Sequence, residues 1–266
     1  VALAPFHVWT PDVYEGAPTP VTGFMSVGPK AAGFAVFLRI YFTAFPEFQQ
    51  RWIVVIWLVA GATMVIGNVV AVVQPNIKRM LAYSSIAHAG YIAVAFAAGS
   101  ETGISAALFY MLAYSVMNLG AFAVVTLLSR KGDRLVDLKN YRGLAVRRPG
   151  LAALLSVFLL SLAGIPATAG FAGKFFIFRA AVESGLIGLT VIGVLTTVVS
   201  FYYYLYVIVQ MYMVEPEEDF SDIKLSAGTT IALTVSLALT FYLGLFPSRV
   251  LDWASDSAVS AFALLR

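Results

Sequence analysis

Lys30, His88 and Lys174 stand inside long apolar runs, far from residues that would solvate them. A charged lysine at the centre of a bilayer costs several kcal/mol even on insertion scales, and intramembrane ionisable groups are functional by default. Loss of water disfavours the charged form of an amine, which suits a group that must bind and release a proton. An imidazole can accept a proton at one ring nitrogen and release one from the other. Two lysines and a histidine at similar depth therefore predict a proton relay.

Lys30 lies in the middle third of its run, directly after Pro29, which withholds a backbone donor and bends a helix. Thr22, Ser26 and Lys30 are spaced by four and share one helical face, a face suited to a hydrated crevice. The plainer reading, a lysine that snorkels to the interface, is hard to reconcile with its depth. Lys174 follows a break marked by Gly164-Ile165-Pro166 and Gly170. A broken transmembrane helix leaves backbone groups unpaired and is tolerated where they line a cavity or lie buried in protein. Discontinuous helices set their ends, with their dipoles, beside transported ions. His88 lies ten residues into its span, about 15 Å deep or half of the hydrocarbon core. Ser84, Ser85 and Tyr91 lie one turn away on its face. Its plainer reading is a hydrogen bond between helices.

Other polar groups carry weaker signals. Tyr110, Tyr114 and Asn118 share a face that either holds waters or glues helices together, and Tyr114 and Asn118 are placed on the supporting polar track. Arg39 sits near a span end and reads as snorkelling. Arg179 precedes Glu183 by four residues and should pair with it. Tyr202, Tyr203, Tyr204 and Tyr206 read as a packing or interface cluster.

Composition dictates the elements that must position these groups. Of 266 residues 60% are hydrophobic and 12% charged, with a mean hydropathy of +0.86. Soluble domains are about half apolar and a quarter charged. Lipid-facing surface explains the charge deficit better than a large core. A bilayer core needs about 20 helical residues per crossing. Continuous apolar runs of that length occur at Pro20–Phe45, Trp52–Val73, Lys78–Ala98, Ile104–Leu128, Leu186–Val214 and Ser226–Phe246, and Gly150–Val182 is the interrupted one. The expected fold is an all-α polytopic membrane protein of about seven spans, one discontinuous. The alternating ten-residue segments of a membrane barrel do not match these runs.

The chain divides into 1–19, the end of a preceding helix plus a loop; 20–214, the membrane domain with its polar loop 129–149; 215–225, a polar loop; and 226–266, a last helix and a short apolar tail. Val1–Pro5 reads as the end of a helix already under way, so the chain reads as the C-terminal part of a longer protein. With no cysteine, thiol chemistry and iron–sulfur ligation by this chain are excluded. Two distant histidines do not make a zinc cluster. With no Gly-rich phosphate loop and no haem-ligand pair, no cofactor or metal is expected to bind here. The net charge of +3 reads as a topology signal rather than as nucleic-acid binding. Lys78, Arg79, Arg130, Lys131, Arg134, Lys139, Arg142, Arg147, Arg148 and Lys224 fall on one side by alternation. Arg51, Arg249 and Arg266 fall on the other. The basic side is then cytoplasmic, and the C-terminus lies opposite.

Three stretches carry a family resemblance. Pro5-Phe6-His7-Val8-Trp9-Thr10-Pro11-Asp12-Val13-Tyr14-Glu15-Gly16-Ala17-Pro18-Thr19-Pro20-Val21 resembles a signature of the antiporter-like membrane subunits of respiratory complex I, the NADH-quinone oxidoreductases. The Trp9–Tyr14 form points to one branch of that family. Asn76–Tyr91 is similar to the matching relay helix, and Leu162–Phe175 to the broken helix. The resemblance implies two inverted five-helix repeats, of which this chain would hold the second, preceded by the last helix of the first. It implies that Lys30 links two half-channels, that Lys174 belongs to the distal one and that His88 lies between them. A further lysine and its glutamate partner would lie upstream of Val1. Pro29 departs from the family pattern. The resemblance further implies a bacterial plasma membrane setting and proton pumping coupled to quinone reduction. FMN, iron–sulfur clusters and quinone would be held by partner subunits, and the neighbours would be other antiporter-like and small linker subunits. A multisubunit cation/proton antiporter, a ferredoxin-linked relative and a non-catalytic scaffold are the rival readings.

Overall fold

The computed structural model describes residues 1–129, 132–220 and 223–263. Arg130, Lys131 and Arg266, used above for topology, lie outside them. The helices are α1 (Thr10–Gly16), α2 (Thr19–Arg39), α3 (Gln49–Ala71), α4 (Ile77–Ala97), α5 (Glu101–Ser129), α6 (Leu144–Arg147), α7 (Pro149–Ala163), α8 (Ala169–Glu183), α9 (Ile187–Met213), α10 (Ala227–Leu245) and α11 (Ser248–Ala263). No strand occurs among the described residues. Among the described residues, six stretches are long and apolar enough to cross a membrane: Thr19–Ala44, Pro46–Ala71, Ile77–Ala97, Glu101–Ser129, Ile187–Met213 and Ala227–Leu245. The seventh expected span is the pair α7 and α8.

The break between those two halves has a local cause. Gly164 closes α7 in the left-handed region at φ 98°, where glycine carries no Cβ penalty. Its amide and that of Ile165 return to the Leu160 and Ser161 carbonyls. Pro166 then disfavours helical backbone at Ile165. α8 recrosses α7 closely, because a Cβ on Gly170 would sit 1.7 Å from the Ser161 carbonyl oxygen.

α4 is the hub. It is buried along almost its whole length and packs on α1, α2, α3, α5, α8 and α9. A helix buried all round needs no amphipathic stripe. Around it the apolar core falls into two large bodies, with a smaller one around Phe109 and Leu243. One, toward the basic face, holds Leu81, Met117, Leu159 and Val207. The other, toward the opposite face, holds Phe34, Met64, Phe96 and Ile177. Lys30, His88 and Lys174 lie at the seam between them, as does the gap in the broken helix.

Two local expectations change. Ala4–Trp9 forms turns. Pro5 has no amide to donate, and the Ala4 amide donates instead to the Thr63 hydroxyl at 2.9 Å. The signature loop contains α1, started by Pro11 and by Asp12 in its first turn, both normal helix-start residues. The apolar tail is the amphipathic α11, which lays Val250, Leu251 and Ala258 on the bundle. As expected of a single span, α2 runs through Pro29 to Arg39.

On the basic face Lys78 is fully buried. Its ammonium donates to the Glu15 and Ala17 carbonyls at 2.8 and 2.7 Å and to Asp133 at 2.8 Å. Arg79 pairs with Asp12 and Glu15, each at 2.7 Å. These two residues, read above as topology signals alone, fasten α1 and the polar loop to the start of α4. The acidic stretch after α9 folds onto the same face, with Arg142 paired to Glu217 and Arg148 donating to the Phe220 carbonyl.

Candidate functional site

The site is built from α2, α4, α5, α8 and α9. Lys30 extends from α2 to α4, where its ammonium donates to both the carbonyl and the hydroxyl of Ser85. It also lies 4.8 Å from the centre of the Tyr114 ring, within cation–π range. On the opposite flank, Lys174 lies 4.8 Å from the centre of the Tyr91 ring. Its ammonium donates to the carbonyls of Leu162 and Ala163 at 3.1 and 2.9 Å. These are the last two carbonyls of α7, left open once Gly164 and Ile165 have satisfied the pair before them. The lysine thus completes the end of the half-helix that precedes its own.

His88 sits between the two tyrosines. Its ring centre is 5.0 Å from that of Tyr114 and 5.6 Å from that of Tyr91. Each lysine therefore rests on the face of a ring that touches the imidazole. Both nitrogens of His88 are engaged, Nδ1 with the Tyr110 hydroxyl at 2.6 Å and Nε2 with the Tyr204 hydroxyl at 3.3 Å. Which nitrogen carries the proton follows from the direction of those bonds. All three basic groups are buried.

The supporting residues divide into those that reach this row and those that do not. Ser85 holds Lys30 and meets the Tyr14 hydroxyl at 3.4 Å. Ser84 bonds to Tyr204, which also reaches His88. Asn118 donates to the Ser26 hydroxyl at 2.6 Å, and Ser26 donates in turn to the Gly23 carbonyl at 2.7 Å. The Tyr114 hydroxyl and Asn118 Oδ1 are buried and hydrogen-bonded to no described residue. Thr22 does not reach the row. Its hydroxyl donates to the Tyr14 carbonyl at 2.9 Å and ties α2 to α1.

Of the residues set aside as packing, Tyr203 and Tyr204 are buried and join the polar seam, whereas Tyr202 and Tyr206 face outward. Sequence reasoning also passed over Asn68 and Thr197. Asn68 donates to the Tyr91 hydroxyl at 3.2 Å and accepts from Tyr203 at 3.0 Å. Thr197 donates to the Tyr91 hydroxyl at 3.2 Å. An amide inside the apolar run of α3 was the available signal for Asn68, since a polar group in hydrocarbon needs a partner. Arg39 is exposed at the end of α2, and Arg179 pairs with Glu183 at 2.7 Å.

Taken together, these features define an all-α polytopic membrane protein with one discontinuous span and a row of buried basic groups at its break. The chain belongs to the NADH:quinone oxidoreductase/Mrp antiporter transmembrane family, whose model matches residues 1–200. It is 53% identical, over 97% of its length, to NADH-quinone oxidoreductase subunit N of Trichlorobacter lovleyi, and covers 53% of that protein. It is 51% identical, over 98% of its length, to subunit N 1 of Solibacter usitatus, and covers 54% of it. Subunit N is the branch that Trp9–Tyr14 points to. A solved structure of respiratory complex I from Thermus thermophilus contains a similar chain, with a TM-score of 0.81 at 42% identity. The match covers 94% of this chain and 55% of that one. The chain thus spans about half the length of the curated relatives it matches.

Proposed function

We propose that this chain carries a proton half-channel in a membrane subunit of an NADH-quinone oxidoreductase, with Lys30, His88 and Lys174 as its relay. One observation carries the reading: each lysine lies on the face of a tyrosine, and both tyrosines flank the same buried histidine. Tyr110 and Tyr204 hold that imidazole from its two nitrogens, so a proton gained at one can be matched by a proton lost at the other. Ser84, Ser85, Tyr91, Tyr114, Asn118 and Ser26 support the row.

Like charges in a low-dielectric interior oppose one another. A proton arriving on Lys30 therefore favours release from Lys174, and the reverse. Quinone reduction elsewhere in the assembly would drive this exchange electrostatically. Protons would enter from the basic, cytoplasmic side and leave from the side that holds the C-terminus. FMN, iron–sulfur clusters and quinone would belong to partner subunits, and the neighbours in the membrane would be other complex I subunits. The chain would thus serve a translocase without holding a redox centre itself.

The test is Lys174→Ala, with Lys30→Ala beside it, in the full subunit within the assembled complex. Proton translocation coupled to quinone reduction should fall strongly. NADH oxidation by a water-soluble acceptor should persist. Unchanged translocation in both variants would overturn the reading.

A further inference from the structure

Three helices end together on the basic face. α2 begins there at Thr19, α5 ends there at Ser129 and α10 begins there at Ala227. Between them runs a groove of two unlike parts. The outer part, of about 1030 Å³, is bordered by Pro18, Asp133, Arg134, Ile223 and Lys224. The inner part, of about 360 Å³, is bordered by Gly23, Leu119, Phe122, Ala123 and Ala232. Pro20, Thr126 and Leu127 wall both parts, so the two are continuous.

Polarity changes sharply along this groove. At the outer end Arg134 and Lys224 are exposed, and neither belongs to an ion pair among the described residues. The one carboxylate there among the described residues, Asp133, is turned inward, accepting from Lys78 at 2.8 Å and from the Thr19 hydroxyl at 2.7 Å. The mouth of the groove is therefore cationic. Further in, the hydroxyls are spent, Thr126 on the Phe122 carbonyl and Thr229 on Ser226. What remains is an apolar wall. Gly23 lets α2 approach it, since a Cβ there would meet the Phe122 Cβ at 3.0 Å.

The depth matches a leaflet. From Ser129 to Leu119 the groove follows ten residues of α5, about 15 Å, or half of a hydrocarbon core of about 30 Å. Basic pockets between transmembrane helices on the cytoplasmic side suit acidic headgroups.

We propose that this groove is a binding site for an anionic phospholipid of the basic-side leaflet. The lipid phosphate meets Arg134 and Lys224, and an acyl chain lies along Gly23, Phe122 and Ala123 between α2, α5 and α10.

The experiment uses the full-length subunit in its assembled complex, reconstituted into phosphatidylcholine vesicles. The vesicles carry phosphatidylglycerol or phosphatidylcholine with a photoreactive acyl chain, and labelled peptides are mapped. Phosphatidylglycerol should label 119–127 and 228–232 in clear excess over phosphatidylcholine. Arg134→Gln and Lys224→Gln should each reduce that excess about fivefold. Equal labelling by the two lipids would reduce the groove to ordinary lipid contact and overturn the proposal. So would absence of label, meaning that protein covers the groove, or loss of label to competing inorganic phosphate. The comparison of headgroups on the unaltered protein stands even if a variant assembles poorly.

Discussion

Tyr110→Phe removes one hydroxyl and nothing else from a fully buried site. That hydroxyl lies 2.6 Å from His88 Nδ1, so the substitution leaves a buried ring nitrogen without its partner. Such a loss costs about 1–3 kcal/mol, roughly a 5- to 150-fold weaker hold on the imidazole orientation. Gly173→Ala reaches the same bond from another helix. A Cβ at Gly173 would sit 2.3 Å from Tyr110 Cδ2, whereas carbon atoms pack at about 3.5–4.0 Å. The ring must therefore withdraw by about 1 Å, which takes the hydroxyl beyond good hydrogen-bond range. The assay is the ratio of protons moved to NADH oxidised in inside-out membrane vesicles, alongside thermal stability of the complex. Both variants should lower the ratio, and the double variant should be no worse than Gly173→Ala alone, because the two act on one contact. A normal ratio in Tyr110→Phe, or losses that add in the double variant, would refute a role for this bond in the relay.

Other positions give sharper local outcomes. Gly164→Ala forces a side chain into the left-handed region at φ 98°, 3.3 Å from Lys174 Cδ. It should cost about 1–3 kcal/mol in thermal unfolding and lower coupled turnover together with stability. Burial raises the proton affinity of the Asp133 carboxyl, but hydrogen bonds from Lys78 and Thr19 outweigh it and hold its pKa below the ordinary 3.8. A depressed carboxyl stabilises the fold above its unfolded pKa and loses that contribution as pH falls through the folded value. Proteolysis of the 129–149 loop should therefore be flat from neutral pH to about 4 and rise below it, whereas Asp133→Asn should be cut faster throughout, without that rise. Arg179→Ala should change stability by less than about 0.5 kcal/mol and leave translocation intact, because its pair with Glu183 is exposed. A loss of pumping there would show a role that the geometry does not contain.

The spans were legible because continuous apolar length leaves few alternatives, and the broken helix because Gly164, Pro166 and Gly170 interrupt one of them. Lys30, His88 and Lys174 could be singled out one at a time, since the cost of burying a basic group depends on the residue itself. What holds them could not. Tyr204 lies 116 positions from His88 and Thr197 106 from Tyr91, and a tyrosine in an apolar run looks the same whether it meets lipid or an imidazole. Only the packing of α9 against α3 and α4 separates Tyr203 and Tyr204 from Tyr202 and Tyr206. The helix α1 was announced by Pro11 and Asp12, but seven residues are too few for periodicity to register. Lys78 read as a topology signal because its three acceptors come from the signature segment and from a loop 55 positions away.

The interrupted span gives Lys174 a berth. The severed end of α7 presents two oxygens that nothing else among the described residues occupies, and the lysine docks on both. A cationic amine grips such oxygens about twice as firmly as a neutral one does. Surrendering its proton therefore slackens the mooring, and taking one back tightens it. Occupancy by a proton and position of the side chain are thereby tied together, so the gap in the helix sets where the lysine rests as well as where the backbone turns.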